Sequence, residues 1–176
     1  MRFKEVSEIE RKMGRKLPSV LRTLLVSDGT VTRFLEAYYG EEIQVQVQKH
    51  QKERLNSDLK FDLKLSVDES VLIREVELRG RSSQKSYVTA RSWVRLPLLD
   101  QEIQKAFQQK QWGIGELLSD RRVESYREIL GYWIEGRQTD KIVGRAYRIW
   151  IRSEPTILIE ERFLIEQYFN KRNSSI

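Results

Sequence analysis

Two charged side chains occupy strand positions where apolar side chains are expected, and they are the first candidates for chemistry. Side chains alternate between the two faces of a strand, so residues two apart share a face. Arg74 lies between Leu72 and Val76 on the apolar face of one predicted strand. Glu161 interrupts the apolar face of the last predicted strand, which includes Ile159. An unpaired charge in a core costs several kcal/mol, so each needs a partner or a ligand.

Two interpretations of these charges remain open at this point. One is a structural salt bridge between Arg74 and Glu161, or an error in the assumed strand register. The other is a closed pocket in which Arg74 holds a carboxylate through its planar guanidinium and Glu161 accepts a hydroxyl or moves a proton. Arg91, on the neighbouring strand, could supply a second anion contact. Its face is ambiguous, because Val88 and Val94 make the opposite face the more apolar one.

The elements that must position these residues can be predicted from periodicity. Helix patterns cover 6–15, 20–26, 31–39, 100–110 and 112–118, and Ser19 is a candidate cap for the second helix. Strand patterns begin at Ile43 and cover 70–79, 87–94, 123–134, 144–151 and 156–163, with a polar loop over 49–59. Short turns join most of the strands, which favours an α+β fold with a single antiparallel sheet of about six strands and helices packed on one side.

The length of 176 residues fits one domain over 1–176, with an N-terminal helical segment at 1–22 and a frayed tail at 170–176. The absence of cysteine excludes disulfides, thiolate metal sites and thiol nucleophiles. His50 is the single histidine, so a histidine metal cluster is excluded, and we expect this side chain to be exposed. Gly113 and Gly115 alone are too weak a signal for a dinucleotide site. No metal site and no dinucleotide site are therefore expected.

The formal charge of +6 arises from 32 basic and 26 acidic residues that are mixed along the chain. An anionic small ligand accounts for this surplus as well as nucleic acid does, and we expect no nucleic-acid partner. No segment approaches the roughly 20 apolar residues of a membrane span. The charged N-terminus does not resemble a signal or transit peptide. We expect a cytoplasmic protein, or a stromal one if it is encoded in a plastid.

Six short motifs occur in a familiar order. They are 27–36, 72–76, 90–94, 113–115, 144–149 and 155–163. In this order and spacing the chain resembles the chorismate lyase family. The likeness is closest to a chorismate lyase-like branch, long carried as a domain of unknown function, that occurs in archaea, actinobacteria, cyanobacteria and some algal plastids. The resemblance extends from about Leu24 to Ile165.

The resemblance implies helical flaps over an internal pocket and release of pyruvate from chorismate, which leaves 4-hydroxybenzoate without a cofactor. Carried over by motif, Arg74 binds the ring carboxylate and Arg91 helps to hold the anionic substrate. Glu161 meets the 4-hydroxyl end of the ring. Val31 and Ile114 match positions that line the pocket, where backbone amides can also contact the ligand.

Two departures from the family pattern affect the assignment of the glutamate. Glu160 stands where threonine is usual, and Leu164 stands where proline is frequent. A register shift onto Glu160 is therefore an alternative, although strand parity favours Glu161. A second functional hypothesis is a non-catalytic, aromatic-acid-binding sensor of the same fold. Whether the product feeds quinone biosynthesis, and in what oligomeric state the protein works, are left open by the sequence.

Overall fold

The computed structural model describes residues 2–54, 62–63, 69–108, 112–136 and 141–169. The predicted tail at 170–176, the end of the predicted loop at 49–59 and the end of the predicted helix at 100–110 lie outside the described residues.

The described part of the chain contains one six-stranded antiparallel sheet with the strand order β1-β2-β3-β6-β5-β4. The strands are β1 (Ile43–Arg54), β2 (Ser70–Gly80), β3 (Ser86–Val94), β4 (Ser125–Glu135), β5 (Ile142–Ile151) and β6 (Glu154–Leu164). The predicted α+β fold with a single antiparallel sheet is confirmed. β1 is longer than expected: it continues beyond residue 48 to Arg54, because β2 pairs with it along its whole length across a bulge between Val47 and Lys49.

Three helices precede the sheet, two connect β3 to β4, and a short one follows β6. They are α1 (Val6–Met13), α2 (Ser19–Val26), α3 (Val31–Tyr39), α4 (Gln101–Gln108), α5 (Ile114–Asp120) and α6 (Glu166–Phe169), with a 3-10 turn at Leu96–Leu98. α1 and α3 each end at a glycine with φ 68°, Gly14 and Gly40, a left-handed conformation that glycine adopts at little cost. The expectation that Ser19 caps α2 is wrong, because Ser19 is the first helical residue and Pro18 occupies the cap position.

The helices cover the sheet face that carries Arg74, and two apolar clusters form there. The first packs α1, α2 and α3 against one end of the strands, including Leu78, Val88 and Phe163. The second packs α4 and α5 against the other end, including Leu72 and Val94. Between the two clusters, this face of the sheet carries two cross-strand rows with polar members. One row is Arg74, Ser92, Ile159 and Tyr147, and the other is Val76, Ala90, Glu161 and Arg145.

The opposite face of the sheet also carries a small apolar cluster. Leu63 packs there against Ile73, Trp93 and Leu158, which explains why β2 has buried apolar residues on both faces. Among the described residues, no helix has the length and apolar character needed to cross a membrane.

Candidate active site

A cavity lies between the sheet and the helices, over the two polar rows. It has an empty volume of about 540 Å³ that is partly open to solvent. Its floor is formed by β-strand residues, and its roof by the segments that begin α3 and α5. The lining residues are Gly29, Thr30, Val31, Thr32, Val45, Arg74, Val76, Leu78, Ala90, Ser92, Gly113, Ile114, Gly115, Arg127, Tyr147, Ile159 and Glu161. Apolar surface dominates this lining, with a few polar groups that converge, as is typical of small-ligand sites.

Arg74 lies on the cavity floor and is only 2% exposed. Its strand is fixed by pairing with β3, where the Ser92 hydroxyl donates to the Arg74 carbonyl at 3.3 Å. Burial lowers the pKa of Arg74 to about 10, which still leaves the guanidinium protonated at neutral pH. The cavity therefore has a buried positive charge on one side.

Glu161 also lines the cavity and is 5% exposed. Its partner is Arg145 rather than Arg74: the Arg145 Nε donates to Glu161 Oε2 at 2.6 Å. The hydroxyl of Tyr147 donates to the other carboxylate oxygen at 2.9 Å. Burial, and then the Glu161 charge, raise the pKa of Tyr147 above its usual value, so the phenol keeps its proton. Of the two interpretations left open by the sequence, a structural ion pair is present, but it joins Glu161 to Arg145 rather than to Arg74.

Arg145 ties this pair to the helical layer. Its Nη1 donates to the carbonyls of Leu24 at 2.5 Å, Leu25 at 3.2 Å and Ser27 at 2.7 Å, at the end of α2. Burial is the largest single influence and lowers the pKa of Arg145, but Glu161, Tyr147 and Tyr132 together outweigh it and raise the pKa. Arg145 therefore positions Glu161 and also anchors the chain that leads into α3.

Val31 and Ile114 lie at the first positions of α3 and α5, and both line the cavity. Thr30, at the cap position of α3, makes no side-chain cap hydrogen bond, so it does not occupy the backbone N–H groups of the first turn. Gly115 allows a close approach of the two roof segments, because a Cβ there would lie 3.2 Å from the Thr30 hydroxyl. The structure thus brings Arg74, Glu161, Val31 and Ile114 together.

Arg91 does not join them. It lies on the opposite face of β3, where its Nε is 3.3 Å from a Glu75 carboxylate oxygen and its guanidinium lies 5.0 Å from the centre of the Trp93 ring. A role for Arg91 in ligand binding is not supported by this placement.

Glu160 faces away from the cavity as well, since its neighbour Glu161 faces inward. Its carboxylate pairs with Arg2 at 3.4 Å and with Arg162 at 3.1 Å. Strand parity therefore assigned the inward glutamate correctly, and the alternative register onto Glu160 is not the one observed.

His50 was expected to be exposed, and this expectation is wrong. It is half-buried on β1, directly opposite Arg74 in the strand register. The long β1 strand, which the polar composition of 49–54 concealed, places it there.

Three cavity or support residues were missed from the sequence: Arg145, Tyr147 and Arg127. Arg145 could have been found by the reasoning applied to Arg74, because it alternates with Val143 and Tyr147 on one face of β5. Arg127 lies in a strand with mixed polarity, so no sequence signal marked it. Its Nη1 donates to the carbonyl of Asp28 at the edge of the cavity.

This arrangement can bind an anion and a hydroxyl at separate points in a mostly apolar space. Within the described ranges, no group of three or more His, Asp or Glu side chains is arranged to hold a metal ion. The chemistry that the site can offer comes from its arginines, one carboxylate, a tyrosine and backbone amides.

Solved structures with the same fold include PhnF from Mycobacterium smegmatis, with a TM-score of 0.62 and 9% identity over 94% of this chain and 88% of that one. Gene product SA0254 from Staphylococcus aureus gives a TM-score of 0.58 at 9% identity, over 80% of this chain and 91% of that one. A ligand-binding domain of a GntR-family transcriptional regulator from Bordetella bronchiseptica gives 0.52 at 14% identity, over 76% and 92%. At these identities the likeness concerns the fold alone.

Relatives by sequence are more informative. A chorismate pyruvate-lyase from Mycobacterium leprae is 29% identical, over 89% of this chain and 79% of that protein. One from Mycobacterium tuberculosis is 28% identical, over 85% and 82%. These relatives are bacterial and lend no support to a plastid location. The family model described as "Chorismate pyruvate-lyase Rv2949c-like" matches residues 25–169, which include the whole cavity. The chain belongs to the Rv2949c-like chorismate pyruvate-lyase family.

Proposed function

We propose that this protein is a chorismate pyruvate-lyase, which eliminates pyruvate from chorismate and leaves 4-hydroxybenzoate without a cofactor. The observation that carries the proposal is the presence of a buried arginine and a buried, hydrogen-bonded carboxylate in one cavity of a chain from this family.

The spacing of the two charges suits an aromatic ring with polar groups at its opposite ends. Arg74 is on β2 and Glu161 on β6, with β3 between them, so their strands are two spacings or about 10 Å apart. Ala90 lies between them on the floor and leaves room for a ring. In this pose Arg74 forms a charge-assisted pair with the ring carboxylate. Glu161 accepts a hydrogen bond from the hydroxyl at ring position 4.

Glu161 retains the capacity to accept that hydrogen bond. A carboxylate offers about four lone-pair directions, and the two donors at Arg145 and Tyr147 use two of them. Because both donors come from β5, the carboxylate is held from one side and can meet a ligand on the other. Val31 and Ile114 contribute backbone amides from the roof.

The reaction needs orientation more than acid–base chemistry. The bond between the ring carbon and the ether oxygen breaks, the hydrogen leaves the neighbouring hydroxyl-bearing carbon, and the methylene carbon of the enolpyruvyl group takes up that hydrogen. Pyruvate departs and the ring becomes aromatic, so the step is strongly downhill. The cavity holds the enolpyruvyl group against this hydrogen and stabilises the charge that develops on the departing oxygen.

A direct test compares turnover of chorismate by the wild type and by Arg74→Ala. We expect the substitution to abolish 4-hydroxybenzoate formation, because the ring carboxylate loses its buried cation. Arg79→Ala is a matched control: Arg79 is on the same strand but pairs with Glu77 on the opposite face. Near-normal turnover by a folded Arg74→Ala variant would refute the role of Arg74.

The burial of the site has a kinetic consequence. 4-Hydroxybenzoate keeps both groups that Arg74 and Glu161 bind, so we expect slow release and competitive product inhibition. Progress curves recorded with added 4-hydroxybenzoate measure this directly. Unchanged initial rates at concentrations of added product well above those of the substrate would contradict the proposed pose.

The alternative function is an aromatic-acid-binding module without turnover, for which the same cavity would serve. Tight binding of 4-hydroxybenzoate together with intact chorismate after prolonged incubation would favour this alternative. Formation of 4-hydroxybenzoate and pyruvate would exclude it.

A further inference from the structure

The proposed substrate has two carboxylates, and Arg74 can bind only the one on the ring. A second anion-binding group is needed where the enolpyruvyl side chain lies. Arg91, which the family resemblance suggested, is on the opposite face of the sheet. Among the cavity-lining residues in the described part of the chain, Arg127 is the second cationic side chain beside Arg74.

Arg127 lies on the far side of the cavity from Arg74. It is on β4, four strand spacings from β2, or about 19 Å between the strands. Its guanidinium approaches the roof, where a Cβ on Gly115 would lie 3.2 Å from Arg127 Nη2. It also lies close enough to Tyr147 for its charge to act against the rise in the pKa of that phenol. Arg127 is therefore near the hydroxyl-binding end of the cavity.

The donors of Arg127 are only partly used. Its Nη1 donates to the Asp28 carbonyl, which fixes the guanidinium at the roof. Its Nε is buried and has no hydrogen-bond acceptor within the part of the chain that the structure describes. A guanidinium presents five N–H donors in a plane that matches a carboxylate. Because Nε has almost no exposed surface, a ligand carboxylate would bind through the Nη donors that Asp28 leaves unused.

Chorismate carries its enolpyruvyl ether on the ring carbon next to the hydroxyl-bearing carbon. If the hydroxyl meets Glu161, the enolpyruvyl carboxylate lies at the same end of the cavity as Tyr147 and Arg127. We propose that Arg127 binds this second carboxylate and makes the site selective for dianions over monoanions, an inference that rests on the proposed function. Its contact with Asp28 links this selectivity to the segment that leads into α3.

The binding test uses two ligands that differ only in the second carboxylate. They are 3-(carboxymethoxy)-4-hydroxybenzoate, a dianion, and 4-hydroxy-3-methoxybenzoate, a monoanion, and neither contains the enolpyruvyl group that reacts. We expect the wild type to bind the dianion about tenfold or more tightly, as is typical of one charge-assisted contact. Arg127→Gln should bring the ratio of the two affinities close to one while the monoanion binds as before. Arg127→Lys, which keeps the charge, should restore part of the preference.

Two comparisons make the result decisive. Arg121→Gln is the matched control, because Arg121 is exposed and lies outside the cavity. Arg91→Gln tests the competing residue, and we expect a smaller effect from it than from Arg127→Gln. Any of three results would overturn the proposal. The ratio of affinities could be unchanged in Arg127→Gln, the wild type could show no dianion preference, or Arg91→Gln alone could lose the preference.

Turnover separates this inference from the proposed function. In a lyase, Arg127→Gln should raise the KM for chorismate about tenfold or more. A wild type that shows the dianion preference but does not consume chorismate would refute the lyase proposal and support the role of Arg127. If the wild type consumes chorismate and Arg127→Gln leaves the KM unchanged, the lyase proposal is supported and the role of Arg127 is refuted.

Discussion

Arg145→Met tests whether Arg145 stabilises the site by joining Glu161 to the end of α2. Arg145 is 1% exposed and joins the Glu161 carboxylate to three carbonyls at the end of α2. Methionine is unbranched and adaptable, so it fills much of the same space without the charge. The substitution therefore removes the ion pair and the anchor with little direct steric damage.

The expected cost can be worked out from these contacts. Removing one partner of a buried ion pair costs about 3–5 kcal/mol, because the other charge stays buried. The Tyr147 hydroxyl still donates to Glu161 and offsets part of this. The carbonyls of Leu24 and Ser27 lose a donor, at about 1–3 kcal/mol for a carbonyl that water cannot reach. We expect the free energy of unfolding to fall by about 3–5 kcal/mol in total, a large share of the roughly 5–15 kcal/mol typical of a domain.

Urea unfolding followed by tryptophan fluorescence measures this cost. Arg145→Met, Glu161→Gln and the double variant complete a thermodynamic cycle. We expect the double variant to be more stable than Arg145→Met alone, because a neutral glutamine needs no counter-charge. A loss below about 1 kcal/mol in Arg145→Met, or strict additivity in the cycle, would show that the Arg145–Glu161 pair does not stabilise the fold.

Three further outcomes follow from individual contacts. The affinity of the protein for benzoate should be constant from about pH 7 to pH 9 and fall near pH 10, because Arg74 loses its proton there. Titration calorimetry across this range measures the affinity, and an affinity that persists above pH 10 would show that another group binds the carboxylate. Hydrogen bonds lower the pKa of Glu41 to about 2, and the bond from the Tyr87 hydroxyl has the largest effect. The stability that the ionised Glu41 contributes is complete above the ordinary pKa of 4.5 and disappears as the pH falls toward 2. Glu41→Gln should therefore cost about 1 kcal/mol in urea unfolding at neutral pH, and its difference from the wild type should narrow in acid; a constant difference would count against this. Gly144→Ala should lower the unfolding free energy by about 1–3 kcal/mol, because a Cβ there would overlap the indole of Trp133, and an unchanged urea midpoint would show that the ring moves freely.

The architecture could be predicted because it depends on local periodicity. Strand alternation placed Arg74 and Glu161 on the helix-covered face without any knowledge of strand order. The same alternation distinguished Glu161 from Glu160. The helix over Val31–Tyr39 was also predicted to the residue, since Gly40 marks its end.

The separation of Arg74 from Glu161 could not be predicted, because it depends on the strand order, whereas Arg145 faces Glu161 across the hairpin of β5 and β6. Chain order makes β2 and β3 neighbours, but only the tertiary fold places β6 between β3 and β5. With this strand order, Glu161 forms its ion pair with Arg145, and Arg74 lies on the other side of the cavity. The position of Arg127 depends on β4 closing the far edge of the sheet, which no local pattern encodes. The face of Arg91 was ambiguous because both faces of β3 bear apolar residues. Trp93, which shares a face with Arg91, is buried on the side of the sheet away from the cavity.

The proposed activity converts chorismate into two products in this cavity. The most direct measurement quantifies 4-hydroxybenzoate and pyruvate in the same reaction of purified wild-type protein with chorismate. We expect both products to appear in equal amounts and neither to form with Arg74→Ala. Chorismate that remains intact with the wild type, or pyruvate released without an equal amount of 4-hydroxybenzoate, would contradict it.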